Sequence, residues 1–335
     1  MSSDLNNIKN KAPEDKVLDQ TLRPSSFDEY IGQENIKNNL KILLQAAKGR
    51  NHAPEHILFY GSPGLGKTTL AYLIAKELGV QMKVTSGPAI ERVGDLASIL
   101  TNLSPGDILF IDEIHRLNKA VEEILYPAME SGQMDIIVGK GPAARTIQLE
   151  LPPFTLIAAT TRVAMISSPL RSRFSGGVFK LEFYNNKEIQ SIVERSANIL
   201  NIKLEKNAAK YIADRSRKTP RTANYLLKRC RDLAQVYEKD LDEDIVIEAL
   251  NMIGTDSVGL NKSDIDLLEI IIHKYNGGPV GLSTIAASLS EDEATIEDFN
   301  EPYLIQLGFL DRTPRGRVVT KSAYDHLNIA YTKND

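Results

Sequence analysis

The octapeptide GSPGLGKT, Gly61 to Thr68, directly follows the apolar run HILFY and leads into the strongly helical TTLAYLIAKEL. Strand, glycine-rich loop and helix in that order fit the pattern G-x-x-x-x-G-K-[ST]. Backbone N–H groups converge on a phosphate only where no Cβ intrudes, so Gly61, Gly64 and Gly66 keep such a loop bare. Lys67 brings a point charge to the β and γ oxygens, and the Thr68 hydroxyl is placed to ligate Mg2+. The positive end of the following helix dipole faces the same anion. A chain with this segment is expected to be an α/β protein that binds a nucleoside triphosphate.

The 335 residues suffice for two or three domains with well-buried cores. With 42% hydrophobic and 25% charged residues, the composition is that of an ordinary globular protein. No apolar run approaches the ~20 residues that span a bilayer, so no membrane partner is expected. Residues 1–20 are polar and lack a signal-peptide core; they are expected to be a flexible leader on a cytoplasmic protein. The single cysteine, Cys230, excludes an internal disulfide and a cysteine-based metal cluster. Its setting, YLLKRCRDLAQVY, is that of a buried small hydrophobe. His52 and His56 are four apart, but Pro54 between them prevents one helix face from presenting both. The net charge of −4 argues against a general positive coat for nucleic acid. Any DNA contact must come from a local cluster, or from a ring of copies around the strand.

Over about 21–184, short apolar runs alternate with amphipathic helical patterns, as in a sheet with helices on both faces. Strands are expected at 56–60, 81–85, 107–113, 154–160 and 178–184, and helices near 33–49, 67–78, 94–103 and 117–130. MDIIVG and RTIQLEL, joined by KGPAA, read as a β-hairpin inserted at about 133–149. Apolar residues on an exposed hairpin imply either core packing or a partner site. From Asn185 to about residue 256 only helical patterns follow, a small all-α domain. GTDSVGLNKSD marks a boundary. The segment 257–335 has helical patterns at 263–275, 282–289, 293–299 and 301–307, then GFLDR and RVVTK bridged by TPRG, a winged-helix pattern.

Binding triphosphate is not hydrolysing it. In ILFIDEIHRL an apolar strand delivers Asp112 and Glu113 at its C-terminal end, where open α/β sheets bind ligands. Asp112 is placed to hold Mg2+, and Glu113 to orient and polarise an attacking water. The next strand ends in AATTR, where Thr161 or Thr160 is within reach of that water or the γ-phosphate. SSPLRSRF then presents Arg171 and Arg173, either a surface ion pair or a finger supplied to a neighbouring subunit. Such a finger is worth ~10³–10⁵ in rate, about 4–7 kcal/mol of barrier. Arg221 opens a helix in TPR and is positioned to report the γ-phosphate to the small domain. RTPRGR, 312–317, gathers three arginines around a tight turn without an acidic residue. It is either a solvated turn or a local grip on phosphates, since no pattern for reading base edges accompanies it.

These elements in this order resemble the AAA+ ATPases. LRPSSFDEYIGQ, GDLASILTNL, FIDEIHRLNKAVEEILYPAME, GPAART, LPPFTLIAATTR, PLRSRF and TPRTANYLLKR, with GGPVGLSTIAASLSEDEATIED, EPYLIQLGFL and RTPRGR, narrow the resemblance to the RuvB family, motors of Holliday-junction branch migration. It extends from about Leu22 to Thr320. The resemblance implies an AAA+ P-loop domain, a small all-α lid and a C-terminal winged-helix domain, with ATP and Mg2+ as cofactors. It implies that Leu22, Arg23, Tyr30 and Ile31 frame the adenine and that Gly64, Lys67, Thr68 and Thr69 hold the phosphates and metal. Asp112 and Glu113 become the acidic pair, Thr161 the first sensor, Arg173 the finger and Arg221 the second sensor, with Tyr184 near the nucleotide. The hairpin becomes a docking site for RuvA, with Ile136, Val138, Ile147 and Leu149 as apolar contacts. Arg312 and Arg317, together with Arg315, would meet DNA phosphates. Implied partners are duplex DNA at Holliday junctions, a RuvA-like junction binder, a RuvC-like resolvase and further copies of the chain in a ring of six. Departures from the family pattern are Ser62 for Pro in the phosphate loop and TTRVA for TTRAG. Ser175-Gly176-Gly177 lengthens the loop after the finger by one residue, and Glu293 stands where relatives often carry Arg. Two other classes remain open on the residues alone: an AAA+ switch without processive movement, and an ATPase acting on proteins.

Overall fold

The computed structural model describes residues 18, 20–138 and 145–331. All but two residues of the expected leader, and the expected hairpin turn KGPAA, lie outside them. By compactness the chain forms two units, one ending at Glu182 and one starting at Phe183, the second also taking in Ser62–Leu65 of the phosphate loop.

The first unit is built on five parallel strands, β1 (Ile57–Tyr60), β2 (Met82–Ser86), β3 (Ile108–Asp112), β6 (Thr155–Thr160) and β7 (Gly177–Lys180), in the order β2-β3-β6-β1-β7. β1 pairs with β6 on one side (Ile57 opposite Ile157) and β7 on the other (Ile57 opposite Gly177). The near-continuous apolar runs ILF, ILFI and LIAA follow from burial on both faces. Leu58, Leu109, Ile111, Leu156 and Ala158 join one core with α3 (Val93–Thr101) and α4 (Lys119–Ser131). The alternate residues Ile57, Phe59, Phe110 and Ile157 are equally closed to solvent, and α2 (Lys67–Leu78) packs on β3 and β6. Each fully buried side chain of this size contributes about 1.5–3 kcal/mol. α1 (Glu34–Arg50) precedes β1, and α5 (Ser168–Ser172) precedes β7.

β7 is shorter than the expected 178–184. After Leu181 N–H reaches Tyr60 O at 2.8 Å, the ladder stops and a side chain takes over. Gln33 Nε2 donates to Glu182 O at 2.7 Å, and Gln33 Oε1 accepts from Glu182 N–H at 3.2 Å. The lengthened Ser175-Gly176-Gly177 loop also has a steric reason: a Cβ on Gly176 would lie 2.7 Å from Glu55 O, and Gly177 has φ +128°. The inserted hairpin pairs β4 (Gln133–Val138) with β5 (Arg145–Glu150), Ile136 opposite Ile147.

The second unit contains α6 (Asn186–Ile199), α7 (Lys206–Asp214), α8 (Pro220–Tyr237) and α9 (Glu243–Met252), then α10 (Lys262–Tyr275) and α11 (Leu282–Leu289). Cys230 is wholly buried on α8, and burial pushes its thiol up to about 12, so it packs as a hydrophobe. The two helical patterns at 293–299 and 301–307 are joined: α12 (Glu293–Thr295) passes through a π turn, Ile296–Asn300, into α13 (Glu301–Gln306). Pro302, in the first turn of α13, has no N–H for the α ladder, and the wider turn accommodates that loss. β8 (Leu310–Thr313) and β9 (Gly316–Val319) form the wing, and α14 (Lys321–His326) follows it outside any sequence expectation.

Candidate functional site

Gly61, Gly64 and Gly66 all have positive φ, at 140°, 82° and 101°, which L-residues with a Cβ rarely adopt. A Cβ on Gly66 would lie 2.6 Å from the Tyr30 hydroxyl. The turn thereby sets β1 against the N-terminus of α2, which carries no side-chain cap. Lys67 is buried and its Nζ donates to Gly61 O at 2.8 Å, which draws the ammonium across the loop. Thr68 and Thr69 are half-buried on the first turn of α2. The bare loop, the uncapped helix end and the ammonium fit a polyphosphate. Thr68 and Asp112 offer the hard oxygens that suit Mg2+.

Leu22 and Tyr30 are buried and Ile31 is half-buried. The Arg23 guanidinium lies 4.8 Å over the Tyr72 ring, and Lys37 Nζ donates to Tyr30 O at 2.7 Å. In the second unit, the Tyr184 hydroxyl donates to Leu65 O at 3.2 Å. Arg221 is exposed at the first turn of α8. Its N–H approaches Gly64 O at 3.4 Å, and a Cβ on Gly64 would come within 3.0 Å of Arg221 Cβ.

β3 delivers Asp112, whose Oδ1 accepts from Glu113 N–H at 3.0 Å. Glu113 has φ +47°, so the chain turns out of the strand as a left-handed residue. Its Oε2 lies 3.4 Å from both the N–H and the hydroxyl of Thr161, and 3.1 Å from His115 Nδ1. Thr160, fully buried, has its hydroxyl 2.9 Å from the same His115 Nδ1 and accepts from Arg162 N–H at 2.9 Å. The two threonines therefore separate: Thr161 stands on Glu113, and Thr160 supports His115. His115 escaped the sequence reading. Its only local signal was adjacency to the acidic pair, while Thr160 lies 45 residues away.

Arg173 is held on its own side of the unit. Its Nη2 donates to Glu130 at 2.9 Å, its Nη1 to Pro169 O at 2.7 Å, and its guanidinium lies 4.6 Å over Tyr126. The Tyr126 hydroxyl donates to Glu122, which also accepts from Ser167. Burial and that carboxylate push the Tyr126 phenol above its ordinary value. A cavity of about 810 Å³ opens here, lined by His56, Glu130, Gln133, Phe154 and Arg173 among others, and by no residue of the phosphate loop.

On the hairpin, register pairs Met134, Ile136 and Val138 with Leu149, Ile147 and Arg145, and Met134, Ile136, Ile147 and Leu149 share one face. That face is graded. Met134 is fully buried, Ile136 and Leu149 pack partly against the core, and Ile147 is 46% exposed.

The wing arginines also divide. Arg312 and Arg317 are cross-strand partners, so both face one side of the π turn and α13, which carry Glu297 and Glu301 four residues apart. Arg312, largely exposed, lies 3.1 Å from Glu297. Arg317 is buried, with Nε donating to Glu301 at 2.6 Å. Unlike the expectation for a phosphate contact, the Arg317 guanidinium is engaged with its own domain. Arg315, in the turn, is exposed.

A parallel P-loop sheet with an acidic pair, followed by an all-α lid and a winged helix, defines an AAA+ ATPase. Three family models match in succession: the Holliday junction DNA helicase RuvB P-loop domain over 22–180, the RuvB AAA lid domain over 184–256 and the RuvB C-terminal winged helix domain over 257–328. The chain is 58% identical over 323 residues to the Holliday junction branch migration complex subunit RuvB of Dehalococcoides mccartyi, covering 96% of this chain and 92% of that protein. Among solved structures, the Thermotoga maritima RuvB Holliday junction branch migration motor superposes with a TM-score of 0.86 at 49% identity, covering 93% of this chain and 100% of that one. A point mutant of RuvB gives 0.87, also at 49% identity, over 93% of this chain and 99% of that one. The chain belongs to the RuvB family.

Proposed function

We propose that this protein is an ATP-driven DNA motor that moves Holliday junctions together with a RuvA-like partner in recombination and repair. The carrying observation is that one chain joins an ATP-hydrolysis site to a winged helix, each matching its RuvB model in order. The division of labour is an ATPase domain over 21–184, a lid over 185–256 and a DNA-binding winged helix over 257–335, in a cytoplasmic protein. Among the described residues no helix is long and apolar enough to cross a membrane.

ATP with Mg2+ supplies the phosphoryl group whose transfer to water drives the cycle. Gly61, Gly64, Gly66, Lys67, Thr68 and Thr69 bind the phosphates, and Thr68 with Asp112 holds the metal. Leu22, Arg23, Tyr30, Ile31 and Tyr184 surround the base. Glu113 orients the attacking water and takes its proton, and Thr161, 3.4 Å from that carboxylate, fixes its direction. Arg173 is offered to a neighbouring subunit in a ring of six, where it stabilises charge on the transferring group. Arg221, beside Gly64, registers the γ-phosphate and turns the lid. Arg315 and Arg312 grip duplex phosphates without reading bases. The exposed hairpin end, around Ile147, docks the RuvA-like partner, and a RuvC-like resolvase acts in the same complex.

The test is conversion of a synthetic four-way junction to duplex products by the protein with RuvA and ATP. Turnover without conversion would support an AAA+ switch instead. ATPase activity raised by a protein substrate and indifferent to DNA would support an ATPase acting on proteins.

A further inference from the structure

Between the lid and the winged helix lies a buried polar chain that the ATPase site does not use. Arg217 and Lys218 have φ +54° and +52°, an unusual left-handed pair immediately before Thr219, whose hydroxyl caps α8 by accepting from Thr222 N–H at 3.3 Å. Arg221 follows in the first turn of that helix. The Arg217 side chain leaves the lid altogether: Nη1 donates to Asp264 at the start of α10, and Nη2 donates to Phe299 O at 2.9 Å in the π turn. Its guanidinium lies 4.8 Å from the Phe299 ring and 4.7 Å from the Tyr303 ring.

The chain continues beyond it. Asp264, with no solvent exposure, also accepts from Asn300 Nδ2 at 2.8 Å and from Asn261 N–H at 3.1 Å. Asn300 is followed by Glu301, which accepts from Arg317 of the wing. Two buried arginine–carboxylate pairs thus run from the second-sensor loop to the wing.

Such pairs add little net stability, because desolvation offsets their attraction and apolar replacements are often neutral or better. What a forked guanidinium held at a carboxylate and a carbonyl, with two aromatic rings beside it, does supply is a single orientation. We propose that Arg217 is a positioning residue for the motor stroke. It locks the winged helix to the loop carrying Arg221, so that a nucleotide-driven turn of the lid moves the wing as one lever. This rests on the reading of Arg221 as the nucleotide sensor.

The test uses the full chain in two forms, Arg217→Met with Asp264→Leu, which removes both charges together, and Arg217→Lys, which keeps the charge but loses the rigid fork that spans Asp264 and Phe299 O. The readout is junctions converted per ATP hydrolysed, on a synthetic junction with RuvA. ATP hydrolysis without DNA is expected to stay near the parental rate, while junctions converted per ATP fall about tenfold. A parental ratio in a folded variant overturns the proposal. If the double variant does not fold, Arg217→Lys alone decides, by the same ratio. Arg221→Ala separates the two readings: unaltered hydrolysis and conversion in that variant would remove the sensor assignment itself, whatever Arg217 does.

Discussion

Arg317 and Arg315 lie two residues apart, yet substituting them is expected to give opposite results. Arg317→Ala leaves Glu301, 2% exposed, as a buried carboxylate without its partner, and breaking such a pair costs about 3–5 kcal/mol. Thermal unfolding should show the loss. Arg315→Ala removes an exposed charge, so the melting temperature should hold. Binding to any duplex should weaken, and the slope of log K against log salt should flatten by about 1. Unaltered DNA affinity in Arg315→Ala would take that residue out of the interface. RTPRGR alone presents three equivalent arginines. Their separation depends on Glu297 and Glu301, which a local pattern cannot pair with a strand 15 or 16 residues later. The phosphate loop was legible for the converse reason, because its requirements are met within eight consecutive residues. Glu113 was legible as an acid but not as a left-handed residue bracketed by Thr161 and His115.

At the scale of elements, periodicity found every strand of the parallel sheet: burial on both faces leaves β1, β3 and β6 an apolar run, while the edge strands β2 and β7, only partly buried, show alternation instead. It overran β7, where the Gln33 amide ends the ladder at Glu182, a contact across 149 residues. The hairpin was legible as a hairpin, but its apolar face was not legible as graded. Met134→Ala, at its buried base, is expected to cost about 2–5 kcal/mol. Ile147→Glu, at its exposed end, should leave stability within about 0.5 kcal/mol while weakening capture of RuvA in a pull-down. Retained capture would move the docking site elsewhere. His56, just before β1, ties two elements together: Nδ1 accepts from Leu156 N–H at 2.9 Å on β6, which leaves Nε2 to donate to Met129 O at 3.0 Å on α4. Burial pushes its pKa below the ordinary 6.5. A group depressed in the folded state contributes stability that is complete above its unfolded value and fades as pH falls through the folded one. The melting temperature should therefore drop as pH falls below about 6.5, more steeply than in His56→Gln. Parallel curves for the two proteins would remove His56 as the cause.

For the whole molecule, a net charge of −4 speaks against an electrostatic coat, and the proposed motor, if a ring of copies encloses its track, does not require one. The wing then needs only a local grip, repeated by each copy. The proposed ring would also give Arg173 its meaning. Within the subunit it rests on Tyr126, Glu130 and Pro169, while Glu113 sits with Thr161 and His115. If the finger acts across an interface, a catalytic site combines Glu113 of one copy with Arg173 of the next. Arg173→Ala alone and Glu113→Gln alone should each be nearly inactive. Mixed in equal amounts and allowed to exchange, a site has an even chance of an intact Glu113 and an even chance of an intact incoming Arg173. About a quarter of sites are then complete, so ATP turnover should recover to at most about a quarter of the parental rate. If both residues served the same copy, every site would lack one of them and mixing would restore nothing. Turnover that stays flat across all mixing ratios, in mixtures shown to co-assemble, would assign the finger to another residue or to the same subunit.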